Sequence, residues 1–314
     1  MKVVISEGLG IEKELVYKIA SEKLASDIEI EYYEDLWVDN KELIERVKTA
    51  DILVIANHKL DSEVIEACPN LKMISVAFTG VDHVDIAKAH ENNIVVSNCS
   101  GYSTVAVADL VFGLILDLYR NISKCNEVIR EGKTKDGLVG FELENKKFGI
   151  VGTGNIGLRV ARIAKAFGCE VLAYSRTVKE IEGIKYVSLE ELMQESDIIS
   201  IHTDLNASTR GLISKNVLEL MKPSAIIINT ARGPVVDYDA LATLLNEGKI
   251  LGAGLDVFDY EPPLKQDEKI LAARNVIATP HVAFATKEAL TKRAYIAFEN
   301  VAKYLEGQPQ NIIK

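Results

Sequence analysis

The hexapeptide Gly152-Thr153-Gly154-Asn155-Ile156-Gly157 constrains the fold more than any other stretch of this chain. It follows an apolar run, Phe148–Val151, and opens a segment, Asn155–Phe167, with apolar residues at helical spacing. A GxGxxG turn between strand and helix has a mechanical reading. Gly152 permits the tight turn, Gly154 lets a pyrophosphate approach the backbone, and Gly157 lets the helix pack on the strand. The helix start, at Asn155 and Ile156, then offers unpaired amides and a positive dipole end to the phosphates. Glycines also punctuate ordinary turns, so it is the strand before and the helix after that favour a nucleotide.

The pattern around this turn repeats it. Short β-branched runs alternate with amphipathic stretches, which argues for parallel βαβ units with both sheet faces covered. One series of candidate strands is Lys2–Ser6, Asp51–Ala56, Met73–Phe78 and Ile94–Ser97, with helices at Ile11–Leu24 and Lys41–Lys48. A second has six strands: Phe148–Val151, Glu170–Tyr174, Asp197–Ile201, Ala225–Asn229, Gly252–Asp256 and Val276–Thr279. Its helices fit at Asn155–Phe167, Leu189–Glu195, Ser214–Met221 and Asp237–Glu247. Ser103–Arg120 reads as a buried helix. Lys287–Leu305 reads as an amphipathic closing helix, with Thr286 to cap its start and Gly307 its end. The expected class is α/β with two Rossmann-like domains. Residues 1–98 with 285–314 would form one, residues 99–284 a doubly wound dinucleotide-binding domain, with a cleft between them.

The bulk composition agrees with two globular domains. The chain has 314 residues, 48% hydrophobic and 26% charged, with net charge −10 and pI near 5.2. An acidic surface disfavours nucleic acid and anionic lipid as partners. No stretch approaches the roughly 20 apolar residues of a membrane span. The start, Met1-Lys2-Val3-Val4-Ile5-Ser6-Glu7, is too short and too soon acidic for a signal peptide. Cys68, Cys99, Cys125 and Cys169 lack CxxC spacing, so reduced thiols in the cytoplasm and no metal site are expected.

The residue ending the strand after the glycine turn selects the cofactor. NAD enzymes place an acid about 20 residues on, to hold the ribose hydroxyls. Here the stretch is Tyr174-Ser175-Arg176-Thr177, and Ser175 stands 18 residues after Gly157. Ser175, Arg176 and Thr177 would donate to a 2′-phosphate that an acid would repel, so NADP is preferred to NAD. Arg176 stacking on adenine, with NAD bound, is the alternative.

Three further motifs carry chemistry: Asn229-Thr230-Ala231-Arg232-Gly233-Pro234, Gly254-Leu255-Asp256-Val257-Phe258-Asp259-Tyr260-Glu261-Pro262 and Thr279-Pro280-His281-Val282-Ala283. Hydride transfer between a nicotinamide and a carbonyl would need a cation to polarise the oxygen and a proton donor for the developing alkoxide. Arg232 follows a candidate strand, where α/β sites lie, and its guanidinium can fork onto a carboxylate. His281 ends another candidate strand, and imidazole is suited to giving and recovering one proton. Glu261 could accept from the second ring nitrogen and favour imidazolium. Singly, each has a bland reading as a loop or surface residue.

Jointly, with the glycine turn, Val81-Asp82-His83-Val84-Asp85 and Thr209-Arg210-Gly211-Leu212-Ile213, they closely resemble the D-isomer-specific 2-hydroxyacid dehydrogenase family over nearly the whole chain. The resemblance implies a flavodoxin-like substrate domain beside the dinucleotide domain, a homodimer, and interconversion of 2-keto and D-2-hydroxy acids. It implies Arg232, Glu261 and His281 as the catalytic set. It places the substrate carboxylate on backbone amides of Phe78, Thr79 and Gly80, with Asn57 and Tyr102 beside the side chain. It places the cofactor against Thr104, His202, Thr203, Thr209, Thr230, Ala231 and His281, and the nicotinamide carboxamide on Asp256. His58 and His83 are expected to line the cleft, and His90 to be structural.

The family usually has proline two residues after the His202 position, where this chain has Asp204. NADP-preferring members point to glyoxylate or hydroxypyruvate. Formate dehydrogenases pair their histidine with glutamine, against Glu261. Phosphite and phosphoglycerate dehydrogenases remain alternatives, as does a nucleotide-sensing corepressor, although no partner-binding tail is expected after Gln310.

Overall fold

The computed structural model describes residues 1–260 and 268–314. Glu261 therefore lies outside the described residues. The chain separates into two compact units, residues 1–103 with 285–314 and residues 104–284.

Unit 1 holds five parallel strands, β1 (Lys2–Ile5), β2 (Glu29–Tyr32), β3 (Ile52–Ile55), β4 (Met73–Val76) and β5 (Val95–Asn98). They are joined through α1 (Lys13–Lys23), α2 (Asn40–Val47), α3 (Ser62–Glu66) and α4 (Ile86–Glu91). The order is β2-β1-β3-β4-β5, the flavodoxin-like winding, which reverses direction between β1 and β3. All four residues of β3 and of β4 are buried, as expected for strands covered on both faces. β2 was not anticipated. Its sequence, Glu29-Ile30-Glu31-Tyr32, alternates charge with apolar residues because it is an edge strand. Lys2 Nζ on β1 bridges Glu29 at 3.5 Å and Glu31 at 2.6 Å.

Unit 2 begins with α5 (Thr104–Arg120) and α6 (Ile122–Arg130). Then come β6 (Lys147–Val151), α7 (Asn155–Ala166), β7 (Glu170–Tyr174), β8 (Ile184–Tyr186), α8 (Leu189–Glu195), β9 (Ile198–Ile201), α9 (Lys215–Leu218), β10 (Ile226–Asn229), α10 (Tyr238–Asn246), β11 (Gly252–Leu255) and β12 (Val276–Ala278). The parallel sheet runs β12-β11-β10-β9-β6-β7-β8. Its winding reverses between β6 and β9, and the glycine turn leaves β6 at that point. Seven strands replace the six expected; the additional one, β8, is a three-residue edge. α9 is four residues long, half the span its pattern predicted.

Alternate residues of the unit 2 strands feed two cores. Phe148, Ile150, Ile226 and Ile228 join Phe112, Ile115 and Tyr119 of α5 and Val160 of α7. Val151, Ile199, Ile227 and Leu255 join Leu192 and Met193 of α8 and Leu241 and Leu244 of α10. The last helix, α11 (Lys287–Leu305), returns to unit 1 and packs on α1 and β4. Thr286 caps it by accepting the Ala289 amide at 3.1 Å. Among the described residues no helix is long and apolar enough to cross a membrane.

Candidate active site

Arg232 sits on a turn fixed from below by one buried amide. Asn229, the last residue of β10, has no exposure. Its Nδ2 donates to the Arg232 carbonyl at 2.9 Å and to the Tyr238 hydroxyl at 2.9 Å, and its Oδ1 accepts the Ala231 amide at 3.0 Å. Tyr238 in turn donates to the Val257 carbonyl at 2.7 Å. Gly233 is required by close approach: a Cβ there would lie 2.0 Å from the Phe258 carbonyl carbon. The guanidinium of Arg232 donates through Nη1 to the Ala231 carbonyl at 2.8 Å.

His281 is held by the next strand. Asp256 directly follows β11 and has no exposure. Its Oδ1 accepts the Thr279 hydroxyl at 2.6 Å and the Val282 amide at 2.9 Å; its Oδ2 accepts the Ala283 amide at 2.9 Å. Its backbone carbonyl accepts the His281 amide at 2.8 Å. Burial holds the Asp256 carboxyl above its ordinary value, opposed by the Thr279 hydroxyl, the two amides and the nearby His281. His281 occupies the left-handed region at φ 52°, an uncommon conformation for a residue other than glycine. Its ring meets Phe284 edge to face at 5.8 Å. Three donors from the loop that carries His281 therefore meet the Asp256 carboxylate, the residue expected to take the nicotinamide carboxamide.

The glycine turn fits a dinucleotide. Gly152 has φ +99°, and a Cβ on it would come within 2.5 Å of the His202 carbonyl oxygen. A Cβ on Gly157 would lie 2.0 Å from the Gly152 oxygen, whereas one on Gly154 would meet nothing within 4 Å, leaving open space beside the turn. The Thr203 and Thr230 hydroxyls, at the exits of β9 and β10, are buried with no hydrogen-bond partner among the described residues. Both fit a ligand rich in hydroxyls and phosphate oxygens. Ser175 is half-buried at the end of β7, with Arg176 and Thr177 exposed after it. Lys179 Nζ donates to the Thr153 carbonyl at 2.9 Å, within the glycine turn itself. Thr104 opens α5.

Two expected cofactor contacts are occupied by the chain. The Thr209 hydroxyl donates to the Asp204 carbonyl at 2.6 Å, and the Ala231 amide is bound to Asn229. His202 accepts or donates at 2.9 Å with Ser200, and burial pushes its imidazole down to about 3, so it stays neutral.

In unit 1, Thr79 and Gly80 are half-buried after β4, and Asn57 is exposed after β3. Tyr102 is 3% exposed, packs on Phe78 at 6.0 Å and lies beneath the Arg293 guanidinium at 5.9 Å. Burial pushes its hydroxyl up to about 12. Sequence reasoning missed the clamping roles of Asn229 and Tyr238, and it named His58 without its partner Glu7.

The model of the D-isomer specific 2-hydroxyacid dehydrogenase NAD binding domain matches residues 112–283. The glyoxylate reductase of Thermococcus litoralis is 40% identical over 302 residues, covering 90% of this chain and 91% of that protein. The hydroxypyruvate reductase of Thermotoga maritima is 40% identical over 272 residues, covering 85% and 89%. An acyclic imino acid reductase solved with NADPH and D-Arg has a TM-score of 0.92 at 34% identity, with both chains fully covered. The chain belongs to the D-isomer specific 2-hydroxyacid dehydrogenase family. It is an oxidoreductase that binds a nicotinamide dinucleotide and acts on the CH–OH group of 2-hydroxy acids.

Proposed function

We propose that the chain reduces a short 2-keto acid, glyoxylate or hydroxypyruvate, to its D-2-hydroxy acid with NADPH preferred, Arg232, Glu261 and His281 forming the catalytic set. The observation that most supports this is the pair of clamped turns that follow β10 and β12. A guanidinium and an imidazole are carried on these loops, each pinned by a buried polar side chain, Asn229 at the end of β10 and Asp256 after β11. Such preorganisation suits residues that must meet developing charge. The bound cofactor supplies the hydride for C2. Arg232 forks onto the substrate carboxylate and polarises the keto oxygen. His281 delivers the proton to that oxygen, with Glu261 orienting the ring. Amides of Phe78, Thr79 and Gly80 take the carboxylate, and Asn57 flanks the substituent.

NADPH preference is supported by Ser175, Arg176 and Thr177, where no carboxylate opposes a 2′-phosphate, and by the Lys179 cation on the glycine turn. Asp204 is exposed on its own turn. The relatives named for glyoxylate and hydroxypyruvate support the substrate class. A homodimer is supported by α6, which buries none of its residues, and by the exposed apolar Ile122, Ile129, Val139 and Phe141. A cytoplasmic location fits four unpaired cysteines, three of them buried.

The deciding experiment measures NADPH and NADH oxidation over a panel of 2-keto acids, with chiral analysis of the product and with Arg232→Ala alongside. Reduction to the D product, lost in Arg232→Ala while nucleotide still binds, is expected. An L product, or an Arg232→Ala enzyme with normal turnover, would refute the reading. Light scattering checks the dimer.

A further inference from the structure

Two consecutive carbonyls of the loop after β4 are tied to the exit of β5, within unit 1. The Phe78 carbonyl accepts the Cys99 amide at 2.8 Å. The Thr79 carbonyl accepts Nδ2 of Asn98, the last residue of β5, at 2.7 Å. A trans peptide points its N–H opposite to the carbonyl that shares its plane. Pinning those two oxygens therefore turns the Thr79 and Gly80 amides to the other side of the loop. Neither amide has a partner among the described residues, and both residues are half-buried. Neighbouring unmet N–H groups suit the oxygens of an anion.

Asn98 is itself held by residues remote in sequence. Its carbonyl accepts Nδ2 of Asn300, on α11, at 2.9 Å, and its amide donates to the Asn311 carbonyl at 3.1 Å. Asn300 has no exposure, and its Oδ1 accepts Nδ2 of Asn311 at 2.8 Å and Nε2 of Gln310 at 3.2 Å. The segment that carries Gln310 and Asn311 runs antiparallel to β5. The Ser97 hydroxyl donates to the Gln310 carbonyl at 2.8 Å, and the Ile313 amide to the Val96 carbonyl at 2.9 Å. Covering the edge of β5 accounts for those bonds. It does not account for two side-chain amides converging on one buried asparagine whose nitrogen continues to Asn98. A line of neutral amides thus runs Asn311–Asn300–Asn98–Thr79, each donating to the next, and bonds in such a line polarise one another.

We propose that Asn98 is a positioning residue of the keto-acid reductase, and that Gln310 and Asn311 set it through Asn300. Asn98 touches no substrate. It fixes the Thr79 carbonyl and hence the direction of the Gly80 amide, which takes an oxygen of the substrate carboxylate. The inference rests on the keto-acid reading given above and adds a control remote from the reacting carbon. The carboxylate keeps its charge through hydride transfer, so this control acts on substrate binding more than on the chemical step.

The test uses the whole chain, saturating NADPH and the better substrate of glyoxylate and hydroxypyruvate. Asn98→Asp keeps the side chain's shape but turns an acceptor toward the Thr79 carbonyl. KM should rise roughly tenfold while kcat and the dissociation constant for NADPH hold. Asn311→Gly removes only a side-chain amide and accommodates the left-handed backbone found there, at φ 52°. It should raise KM in the same direction by a smaller factor, about threefold. The double variant should match Asn98→Asp, because both changes act along one line. Substitutions that only loosened the unit would lower Tm without this split between KM and kcat. A second measurement needs no substrate: in protein labelled with ¹⁵N-glycine, the Gly80 amide resonance should move in both single variants. Asn311 is exposed, so Asn311→Gly decides if Asn98→Asp does not fold. An unchanged KM in either folded single variant, effects that multiply in the double variant, or a Gly80 resonance that stays in place overturns the inference and leaves keto-acid reduction standing. A parent that reduces no keto acid overturns both.

Discussion

The amide of His281 lies 2.8 Å from the carbonyl oxygen of Asp256, while the side chain of the same Asp256 gathers the amides of Val282 and Ala283 at 2.9 Å each. One residue therefore holds the histidine loop by both its backbone and its carboxylate. Asp256→Asn tests what that hold is worth. The new amide group would point N–H at N–H where Oδ2 now accepts. We expect kcat to fall between about tenfold and a hundredfold while the dissociation constant for NADPH changes little. Stopped-flow turnover and fluorescence titration of the cofactor separate the two quantities. A weakened NADPH affinity with normal kcat would assign Asp256 to the nicotinamide and not to the loop.

Gly233→Ala should destabilise unit 2 through overpacking. Its Cβ would stand 2.0 Å from the Phe258 carbonyl carbon, which is backbone and cannot rotate away. The expected loss is about 1–3 kcal/mol, read as a lower Tm, with activity reduced as the Arg232 turn shifts. A Tm equal to the parent's would show that the 258–259 segment yields freely.

Arg176→Ala should weaken NADPH selectively, and Ser175→Asp should hurt NADPH while improving NADH. The physical ground is charge at a 2′-phosphate, which a guanidinium meets and a carboxylate repels. Values of kcat/KM for both cofactors decide it. Equal losses in Arg176→Ala would mean that the guanidinium stacks on adenine.

The Glu7–His58 pair predicts a pH dependence of stability. The His58 imidazole is raised above its ordinary value in the folded chain, chiefly by the Glu7 hydrogen bond. A raised basic group contributes stability that is fully present below the unfolded value, about 6.5, and is lost as pH rises through the folded one. The Tm difference between parent and His58→Leu should therefore be largest near pH 5.5 and shrink toward pH 9. A difference that grows with pH would reverse the sign and refute the pairing.

What could be read in the sequence was local. β3, β4 and β10 are apolar runs covered on both faces, and the glycine turn announces itself by spacing. β2 and β8 escaped notice because edge strands are short and half solvated, so charge and polarity interrupt their pattern. α9 stopped early because its apolar residues Leu220 and Met221 pack as a turn beyond the helix end. Arg232 and His281 were legible from motif. Their clamps were not, since Asp256 reaches 23 to 27 residues ahead and Glu7 reaches 51 to find His58. Such pairings depend on which strands become neighbours, and no local spacing encodes that.

The Asp256 amide donates to the Asn229 carbonyl at 2.9 Å, so the two clamps are themselves joined. In dynamical terms the Arg232 and His281 turns share a single hinge-free mount. An opening that frees one must break the buried bonds of the other. Amide exchange at Ala231, Val282 and Ala283 should then follow one common opening event, slower than that of the surrounding loops, and a substitution at either clamp should quicken all three together.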